Sequence, residues 1–246
     1  MRLESWFNLF SNNNLLLYHN VMYNLYIVAT PIGNLEDITI RALKTLRSVS
    51  LIACEDTRKT RILTSKYHIK SRLISYHEYN KKGAAENIIS HIFKAGDAAL
   101  VTEAGTPLIS DPGSYLVRMC IESDIRVIPI PGPSSVIAAL SASGVDVSEF
   151  TFIGFLPKKP GKRKNMLLKL KEEGRTFVVF EAARDIKKLF DVIENIFGNI
   201  KICYAKEITK FFENIRTKDI SSLRIDFNNS PELLKGEITL IISPKL

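Results

Sequence analysis

Short apolar runs alternate with longer amphipathic stretches from residue 25 to about residue 143. The runs are rich in β-branched residues and predict strands, whereas the stretches between them repeat apolar positions at a helical spacing. The predicted strands are LYIVAT (25–30), SLIAC (50–54), RLISY (72–76), AALVT (98–102) and RVIPI (126–130), and the predicted helices lie near 39–48, 57–66, 82–95, 113–123 and 133–142. Because parallel strands need crossover connections that cover both faces of a sheet, this alternation predicts a mainly parallel five-stranded sheet between helices.

A polar stretch, SGVDVSEF (143–150), precedes a second half with a different pattern. The predicted strands there are TFIGF (151–155), TFVVFE (176–181), KICYAKEI (201–208), FFENIRT (211–217) and EITLIIS (237–243), with helices near 162–172 and 184–197. Only a short turn separates the third and fourth of these strands, which predicts a hairpin and hence a mixed sheet. We therefore expect an α/β fold of two α/β domains in series, residues 22–146 and residues 147–246.

The composition is that of an ordinary folded protein, with 246 residues, 46% hydrophobic residues and a mean hydropathy of +0.04. No apolar run approaches the roughly 18 residues that a membrane-spanning helix needs, so no membrane partner is expected. Residues 1–21 have neither the apolar core nor the small-residue cleavage site of a signal peptide, and we expect them to form a disordered extension before a working start at Met22.

The three cysteines are odd in number and lie far apart, at Cys54, Cys120 and Cys203. This spacing fits neither a CxxC redox pair nor a zinc knuckle. We therefore expect reduced thiols in the core of a cytoplasmic protein, and no metal site.

The net charge of +8 is concentrated in two zones. Residues 41–82 carry 11 basic and 3 acidic side chains, and residues 158–175 carry 8 basic and 2 acidic ones. Clustered Lys and Arg are typical of a protein that binds a polyanion such as RNA. Two solvated helix faces would give the same pattern, and charge alone leaves both interpretations open.

Polar and Gly/Pro-rich segments follow all five predicted strands of the first half. In open α/β sheets ligands bind beyond the carboxyl ends of the strands, so we expect these segments to converge on one crevice. Turn punctuation alone explains one or two such loops, but explains five at one edge less well. The segments are TPIGNLED (30–37), EDTR (55–58), YHEYN (76–80), EAGTPLISDPG (103–113) and PGPSS (131–135).

Several ligand classes are disfavoured by motifs that the sequence lacks. No GxGxxG is present, and GFLPKKPGKR (154–163) has neither the Walker spacing nor the Ser/Thr that would hold Mg²⁺. HExxH and GxSxG are also absent, which disfavours zinc proteases and α/β-hydrolases.

The motif order resembles the ribosomal RNA small subunit methyltransferase I family of tetrapyrrole-methylase-like (class III) S-adenosylmethionine enzymes. The resemblance covers about residues 24–243, and TPIGNL, EDTR and AGTPLISDP in this order and spacing make it specific. It is carried by VATPIGNLEDIT (28–39), EDTR (55–58), YHEYN (76–80), EAGTPLISDPG (103–113), PGPSS (131–135), GFLP with following Lys/Arg (154–164), KEITKFFE (206–213) and KGE (235–237).

The resemblance implies a cytoplasmic homodimer that uses S-adenosylmethionine to methylate the 2′-hydroxyl of a cytidine in the decoding region of 16S rRNA, within the small ribosomal subunit. It also implies a methyl-donor cleft between the two domains. The donor-binding residues that it implies are Pro31, Ile32, Gly33, Asn34, Glu103, Ala104, Gly105, Pro107, Ile109, Ser134, Ser135, Phe180, Glu181, Gly236 and Ile238.

Transfer of a methyl group to a ribose oxygen needs a proton acceptor and a held sugar. In the family-like loops, Glu55, Asp56, His77 and Glu78 are candidate proton acceptors, and Arg58 and Asn80 are candidates to hold a phosphate or the sugar. Plainer roles stay open: His77 as a partly buried hydrogen-bonded residue, and Asp56 as a helix cap.

The second basic zone suits RNA, because flexible cationic side chains can reach phosphates without reading sequence. Its candidate RNA-binding residues are Lys158, Lys159, Lys162, Arg163 and Lys164.

Two positions depart from the family pattern. Glu103 stands where the family usually has Asp, and Ala182-Ala183 stand where it usually has Ser and a following Pro or Thr, with no His after them. A small-molecule methyltransferase of the same fold, or a non-catalytic ribosome-binding relative, therefore remain alternatives.

Overall fold

The first half of the chain forms an all-parallel sheet, as the sequence predicts. The computed structural model describes residues 23–244. The strands are β1 (Asn24–Val28), β2 (Leu51–Cys54), β3 (Arg72–Ser75), β4 (Ala98–Leu100) and β5 (Arg126–Ile130), in the order β3-β2-β4-β1-β5. Pro129, which cannot donate a ladder hydrogen bond, lies in the edge strand β5.

Helices cover both faces of this sheet. They are α1 (Ile40–Ser48), α2 (Thr57–Lys66), α3 (Lys81–Ala95), α4 (Ser114–Glu122) and α5 (Ser135–Ala142). Successive β2 residues point to opposite faces: Leu51 and Ala53 pack with α3 and α4, and Ile52 and Cys54 pack with α1 and α2. All residues of β2 and β4 are buried, as expected for central strands of a parallel sheet.

The second half forms the predicted mixed sheet. Its strands are β6 (Phe150–Phe155), β7 (Thr176–Ala182), β8 (Lys201–Lys206), β9 (Asn214–Asp219) and β10 (Glu237–Ile242), in the order β6-β7-β10-β8-β9. Only β6 and β7 pair in parallel among these strands. Helices α6 (Pro160–Glu173), α7 (Ile186–Phe197) and α8 (Ile220–Asn229) pack on one apolar core with this sheet.

The predicted hairpin exists, but two of its details are wrong. The connection spans residues 207–213, and β9 begins at Asn214 rather than at residue 211. Phe211 and Phe212 therefore lie in the turn, 94% and 70% exposed. Glu207 and Thr209 adopt positive φ angles, which ends the strand pairing before the two aromatic residues.

Helix α8 is absent from the sequence prediction. Its signals are present in the chain: Asp219 caps its first turn by accepting a hydrogen bond from the Ser222 amide at 2.8 Å. Ile220, Leu223 and Phe227 follow at a helical spacing and are buried.

The three cysteines are buried and unpaired, as predicted. The prediction for residues 1–21 lies outside the described residues, and the domain boundary near residue 146 stays a prediction. No helix within residues 23–244 combines the length and apolar character needed to cross a bilayer. Within the same residues, no cluster of three or more His, Cys, Asp or Glu is placed to hold a metal ion.

Candidate functional site

A cavity of about 420 Å³ lies between the carboxyl edge of the first sheet and the second half of the chain. Its first-half lining consists of Ile32, Ala104, Gly105, Thr106, Ile109, Ser110, Asp111, Ser134, Ser135 and Val136. Its second-half lining consists of Phe155, Phe180, Glu181, Ala182, Ile208, Gly236, Glu237, Ile238 and Thr239. Its volume is within the range of small-molecule sites.

Three of the five strand-end loops line this cavity, so the expectation that all five converge there is wrong. The contributing loops follow β1, β4 and β5, whereas the loops after β2 and β3 are not part of the lining. The strand order explains the difference, because β2 and β3 lie on the far side of β4 from β1 and β5.

Two close approaches hold the halves together around the cavity. The Asn34 amide donates to Thr209 Oγ1 at 3.2 Å, and a Cβ at Gly33 would lie 2.4 Å from Lys210 Cγ. On the other approach, a Cβ at Gly154 would lie 2.8 Å from Ser110 Oγ. Glycine at these positions lets backbone from one half contact the other half directly.

The loop after β4 is fixed across the sheet edge. Thr30 and Gly105 exchange two backbone hydrogen bonds, at 2.9 and 3.0 Å. Further along the loop, Leu108 and Ser110 have φ angles of 73° and 68°. Such left-handed backbone is uncommon for residues other than glycine and concentrates at functional sites. It directs the loop so that residues 109–111 line the cavity.

Helix α5 points its N-terminus at the cavity. Ser134 caps it by accepting a hydrogen bond from the Ile137 amide at 3.5 Å, and Ser134, Ser135 and Val136 all line the cavity. The first amides of a helix have no intrahelical partner and carry partial positive charge, so this wall suits a carboxylate or another anionic group.

Three carboxylates line the cavity: Asp111, Glu181 and Glu237. Glu237 Oε2 accepts from Lys210 Nζ at 2.8 Å. Glu181 Oε2 lies 3.5 Å from Arg163 Nη1, beyond hydrogen-bond geometry, and has no hydrogen-bond partner among the described residues. The cavity therefore has acidic character that suits a cationic ligand.

Asp111 has a different environment from the other two carboxylates. Burial raises the pKa of its carboxyl from 3.8 to about 6, and the negative charges of Glu55 and Glu103 add to the rise. The Thr102 hydroxyl opposes this shift by stabilising the charged form. Asp111 belongs to the conspicuous loop 103–113, so the strand-end rule would have found it as a site residue.

The structure places most, but not all, of the predicted donor-binding residues at the cavity. Pro31, Gly33, Asn34, Glu103 and Pro107 are not part of the lining. Those that do line it are Ile32, Ala104, Gly105, Ile109, Ser134, Ser135, Phe180, Glu181, Gly236 and Ile238. The sequence prediction lacked the lining residues Thr106, Ser110, Asp111, Val136, Phe155, Ala182, Ile208, Glu237 and Thr239.

None of the predicted catalytic residues lines the cavity, and two of them have local structural roles. Asp56 accepts from the Arg58 amide at 2.8 Å and so caps α2, and the Arg58 guanidinium binds the same carboxylate. These contacts hold the pKa of Asp56 well below its usual range. This bears out the plainer reading of Asp56 as a helix cap.

The loop after β3 is also held by its own side chains. Asn80 Oδ1 accepts from the His77 amide at 2.8 Å, and its Nδ2 donates to the Ser75 carbonyl at 3.1 Å. Glu78 forms an ion pair with Lys81. His77 is half-buried, and its Nδ1 has no hydrogen-bond partner among the described residues. Glu55 acts on Asp111 through its charge.

The second basic zone divides into exposed lysines and one enclosed arginine. Lys158, Lys159, Lys162 and Lys164 are exposed around the start of α6. Arg163, which the sequence grouped with them, is only 15% exposed, donates from Nε to the Pro157 carbonyl at 3.0 Å and pairs with Glu181. Its predicted contact with RNA is therefore corrected to a structural role at the cavity wall.

The two departures from the family pattern have separate consequences. Glu103 forms an ion pair with Lys59 of α2 and does not line the cavity. Ala182 does line it, so the side-chain hydroxyl that the family usually has there is replaced by a methyl group.

Comparison with known sequences gives consistent matches. The family profile of the Tetrapyrrole (Corrin/Porphyrin) Methylases matches residues 24–224. The ribosomal RNA small subunit methyltransferase I of Mesorhizobium japonicum is 44% identical over 89% of this chain and 75% of its own length. The proteins of the same name from Haemophilus influenzae and Escherichia coli O157:H7 are 44% and 41% identical, over 90% and 91% of this chain and 78% of their own lengths.

Solved structures share the fold at low sequence identity. A cobalt precorrin-4 methyltransferase of cobalamin biosynthesis superposes with a TM-score of 0.66 at 16% identity, over 89% of this chain and 94% of that one. The uroporphyrin-III-C-methyltransferase of Thermus thermophilus gives 0.60 at 16% identity, over 90% and 94%. With the sequence matches, these structures show that the chain belongs to the ribosomal RNA small subunit methyltransferase I family, within the tetrapyrrole methylases.

Proposed function

We propose that this chain is an S-adenosylmethionine-dependent enzyme that methylates the 2′-hydroxyl of a cytidine in the decoding region of 16S rRNA, in the small ribosomal subunit. The observation that carries the proposal is the cavity between the halves. It is lined by ten of the residues that the family resemblance assigns to the methyl donor, in a chain 44% identical to rRNA methyltransferases.

The side chains of the cavity fit the methyl donor. Ile32, Phe180 and Ile238 offer apolar surface for a purine and a thioether chain, and the N-terminus of α5 suits the carboxylate of the amino acid. Glu181 Oε2, which lacks a hydrogen-bond partner among the described residues, can accept from an ammonium or hydroxyl group. When bound, S-adenosylmethionine supplies an electrophilic methyl group on a positively charged sulfur.

The exposed lysines at the start of α6 supply the contact with RNA. Lys158 and Lys159 follow Phe155, which lines the cavity, by only three and four residues. Phosphates bound by these lysines would therefore hold RNA near the cavity mouth. Because lysine contacts to phosphate carry no sequence information, selection of the cytidine rests on the shape of the assembled subunit.

Nucleotide-resolution mapping of 2′-O-methylation tests the proposal in cells with and without the gene. We expect one cytidine of the 16S rRNA to lose its methyl group in the deletion strain and to regain it on complementation. Purified protein with labelled S-adenosylmethionine should transfer one methyl group to small subunits from the deletion strain. An unchanged map would refute the proposal.

The two alternative functions have less support. The tetrapyrrole enzymes among the solved structures are only 16% identical to this chain, whereas the rRNA methyltransferases exceed 40%. The case for a non-catalytic relative rested on Glu103 and Ala182-Ala183. Glu103 does not line the cavity, so its longer side chain need not displace the donor.

Three finer statements belong to the same proposal. We infer that the enzyme acts in the cytoplasm, where small subunits are assembled, and that it is a homodimer, as the resemblance implies. Analytical ultracentrifugation tests the dimer. We also propose domains at residues 22–146 and 147–246, which limited proteolysis would separate between β5 and β6.

A further inference from the structure

Asp111 is the only carboxylate among those lining the cavity that forms no ion pair with a described basic residue. Glu181 pairs with Arg163, and Glu237 pairs with Lys210. We propose that the Asp111 carboxylate accepts the proton that the ribose 2′-hydroxyl loses on methylation. The inference rests on the proposed function, and assigns to it a residue outside the loops after β2 and β3.

The position of Asp111 joins the two parts of the site. It lines the cavity beside Ser110, and it lies close enough to Glu55 and Glu103 to feel both charges. Glu55 belongs to the EDTR loop, which the resemblance places near the acceptor. A carboxylate at this junction is placed between the donor cavity and the side from which the sugar would enter.

The backbone fixes this carboxylate in position. Ser110, directly before it, has a φ of 68° and lies against Gly154 of β6, where any Cβ would be 2.8 Å from Ser110 Oγ. Gly113, two residues after it, has a φ of 153° and would bring a Cβ within 2.8 Å of Leu108 Cγ. Constrained residues on both sides limit the motion of Asp111, as a proton acceptor requires.

The charges around Asp111 set its proton affinity. Glu55 and Glu103 face it and favour the protonated form, the Thr102 hydroxyl favours the charged form, and Lys59 neutralises part of the effect of Glu103. Burial adds the largest contribution, and the pKa reaches about 6. The group is therefore charged at neutral pH and is a stronger base than an exposed aspartate.

The proposed step balances in atoms and charge. A bond forms between ribose O2′ and the methyl carbon, and the bond from that carbon to sulfur breaks with its electron pair staying on sulfur. The O2′ proton passes to the Asp111 carboxylate and from there to water. The sulfonium charge disappears, and one proton is released for each methyl group transferred.

Single-turnover transfer to unmodified small subunits, at saturating S-adenosylmethionine, tests the role. We expect Asp111→Asn to lower the rate constant by about 100-fold or more, and Asp111→Glu to restore part of it. Calorimetry should give both variants a dissociation constant for S-adenosylmethionine within about threefold of the unaltered protein. Glu122→Gln, at the far end of α4, is the matched control and should leave the rate unchanged.

A pH profile separates proton acceptance from positioning. Carboxyl carbon NMR of the free protein should show Asp111 titrating near pH 6, and the single-turnover rate should rise with pH through the same region. The Asp111→Asn variant should lose this inflection. An unchanged inflection, or a residual rate above about a third of the original, would overturn the proposal.

Two further results have distinct meanings. Loss of S-adenosylmethionine binding in Asp111→Asn would overturn the proposal by making Asp111 a donor contact. Absence of transfer by the unaltered protein, with S-adenosylmethionine still bound, would instead refute the proposed rRNA function. An Asp111 that titrates near 4 in the NMR experiment would also contradict the assignment.

Discussion

Arg163 Nη1 lies 3.5 Å from Glu181 Oε2, and the two side chains are 15% and 7% exposed. The pair links the start of the basic helix α6 to β7 at the cavity wall. Arg163 Nε also donates to the Pro157 carbonyl, so the guanidinium is held from two sides. The lysine-bearing segment and the cavity thus share one electrostatic anchor.

Removing the arginine of this pair should destabilise the protein strongly. Arg163→Met leaves the Glu181 carboxylate buried without a counter-charge, which costs about 3 kcal/mol in the free energy of unfolding. Urea denaturation at pH 7 measures the loss. The exposed Lys162→Met is the control, with a change within about 0.5 kcal/mol.

A second variant tests the cause of that loss. In Arg163→Met/Glu181→Gln no charge remains buried, so we expect most of the lost stability to return. A double variant as unstable as Arg163→Met would show that packing of the arginine, rather than its charge, is responsible.

Reversing the charge of the exposed lysines should weaken RNA binding alone. We expect Lys158→Glu, Lys159→Glu, Lys162→Glu and Lys164→Glu together to lower affinity for small subunits, and to reduce the salt dependence by roughly 0.7 per lost phosphate contact. Filter binding across salt concentrations measures both. S-adenosylmethionine affinity should not change, because none of the four lines the cavity.

The matched control for this variant is Lys187→Glu/Lys188→Glu, an exposed pair on α7 of the same half. It should reduce RNA affinity little, because these lysines are not in the segment next to the cavity. Equal losses from both sets of changes would show that overall charge, not the α6 segment, drives binding.

The sequence predicts the sheets better than the site. Strands such as β2 and β4 are buried on both faces, so their apolar runs are unambiguous, and Asp56 marks the start of α2 by its capping chemistry. Phe211 and Phe212 misled the prediction, because aromatic residues favour strands but here lie in a turn set by Glu207 and Thr209.

The site depends on strand order, which hydrophobic periodicity does not encode. The rule that ligands bind at carboxyl edges identified the loops after β1, β4 and β5, but could not exclude those after β2 and β3. Likewise, the charge run could not show that Arg163 turns inward to Glu181 while Lys162 stays exposed. Such pairings arise only when distant elements pack.

A methyl group at Gly33 should weaken donor binding through the second half of the chain. A Cβ there would lie 2.4 Å from Lys210 Cγ and 3.1 Å from the Ile208 carbonyl oxygen, so residues 208–210 must move. Because Ile208 lines the cavity, we expect Gly33→Ala to raise the dissociation constant of S-adenosylmethionine by about tenfold. Calorimetry measures the change.

Gly161→Ala is the matched control for Gly33→Ala. A Cβ at Gly161 has no atom within 4 Å, and the residue lies in α6, where alanine is favoured over glycine by about 1 kcal/mol. It should bind S-adenosylmethionine normally and unfold at a slightly higher temperature. Normal binding by Gly33→Ala would show that the 208–210 turn can move without changing the cavity.

Asp111→Asn should stabilise the protein at high pH and not at low pH. The folded pKa of about 6 lies above the ordinary 3.8, so the stability linked to this carboxyl is complete below about pH 4 and is lost as the pH rises through about 6. Asparagine matches the uncharged acid in shape. The variant should therefore gain roughly 1–2 kcal/mol in free energy of unfolding at pH 8, after allowance for solvent screening, and almost nothing at pH 4. Urea denaturation at both pH values, with Glu122→Gln as the control, measures the difference; an equal gain at both, or a loss at pH 8, would contradict the burial of a charged Asp111.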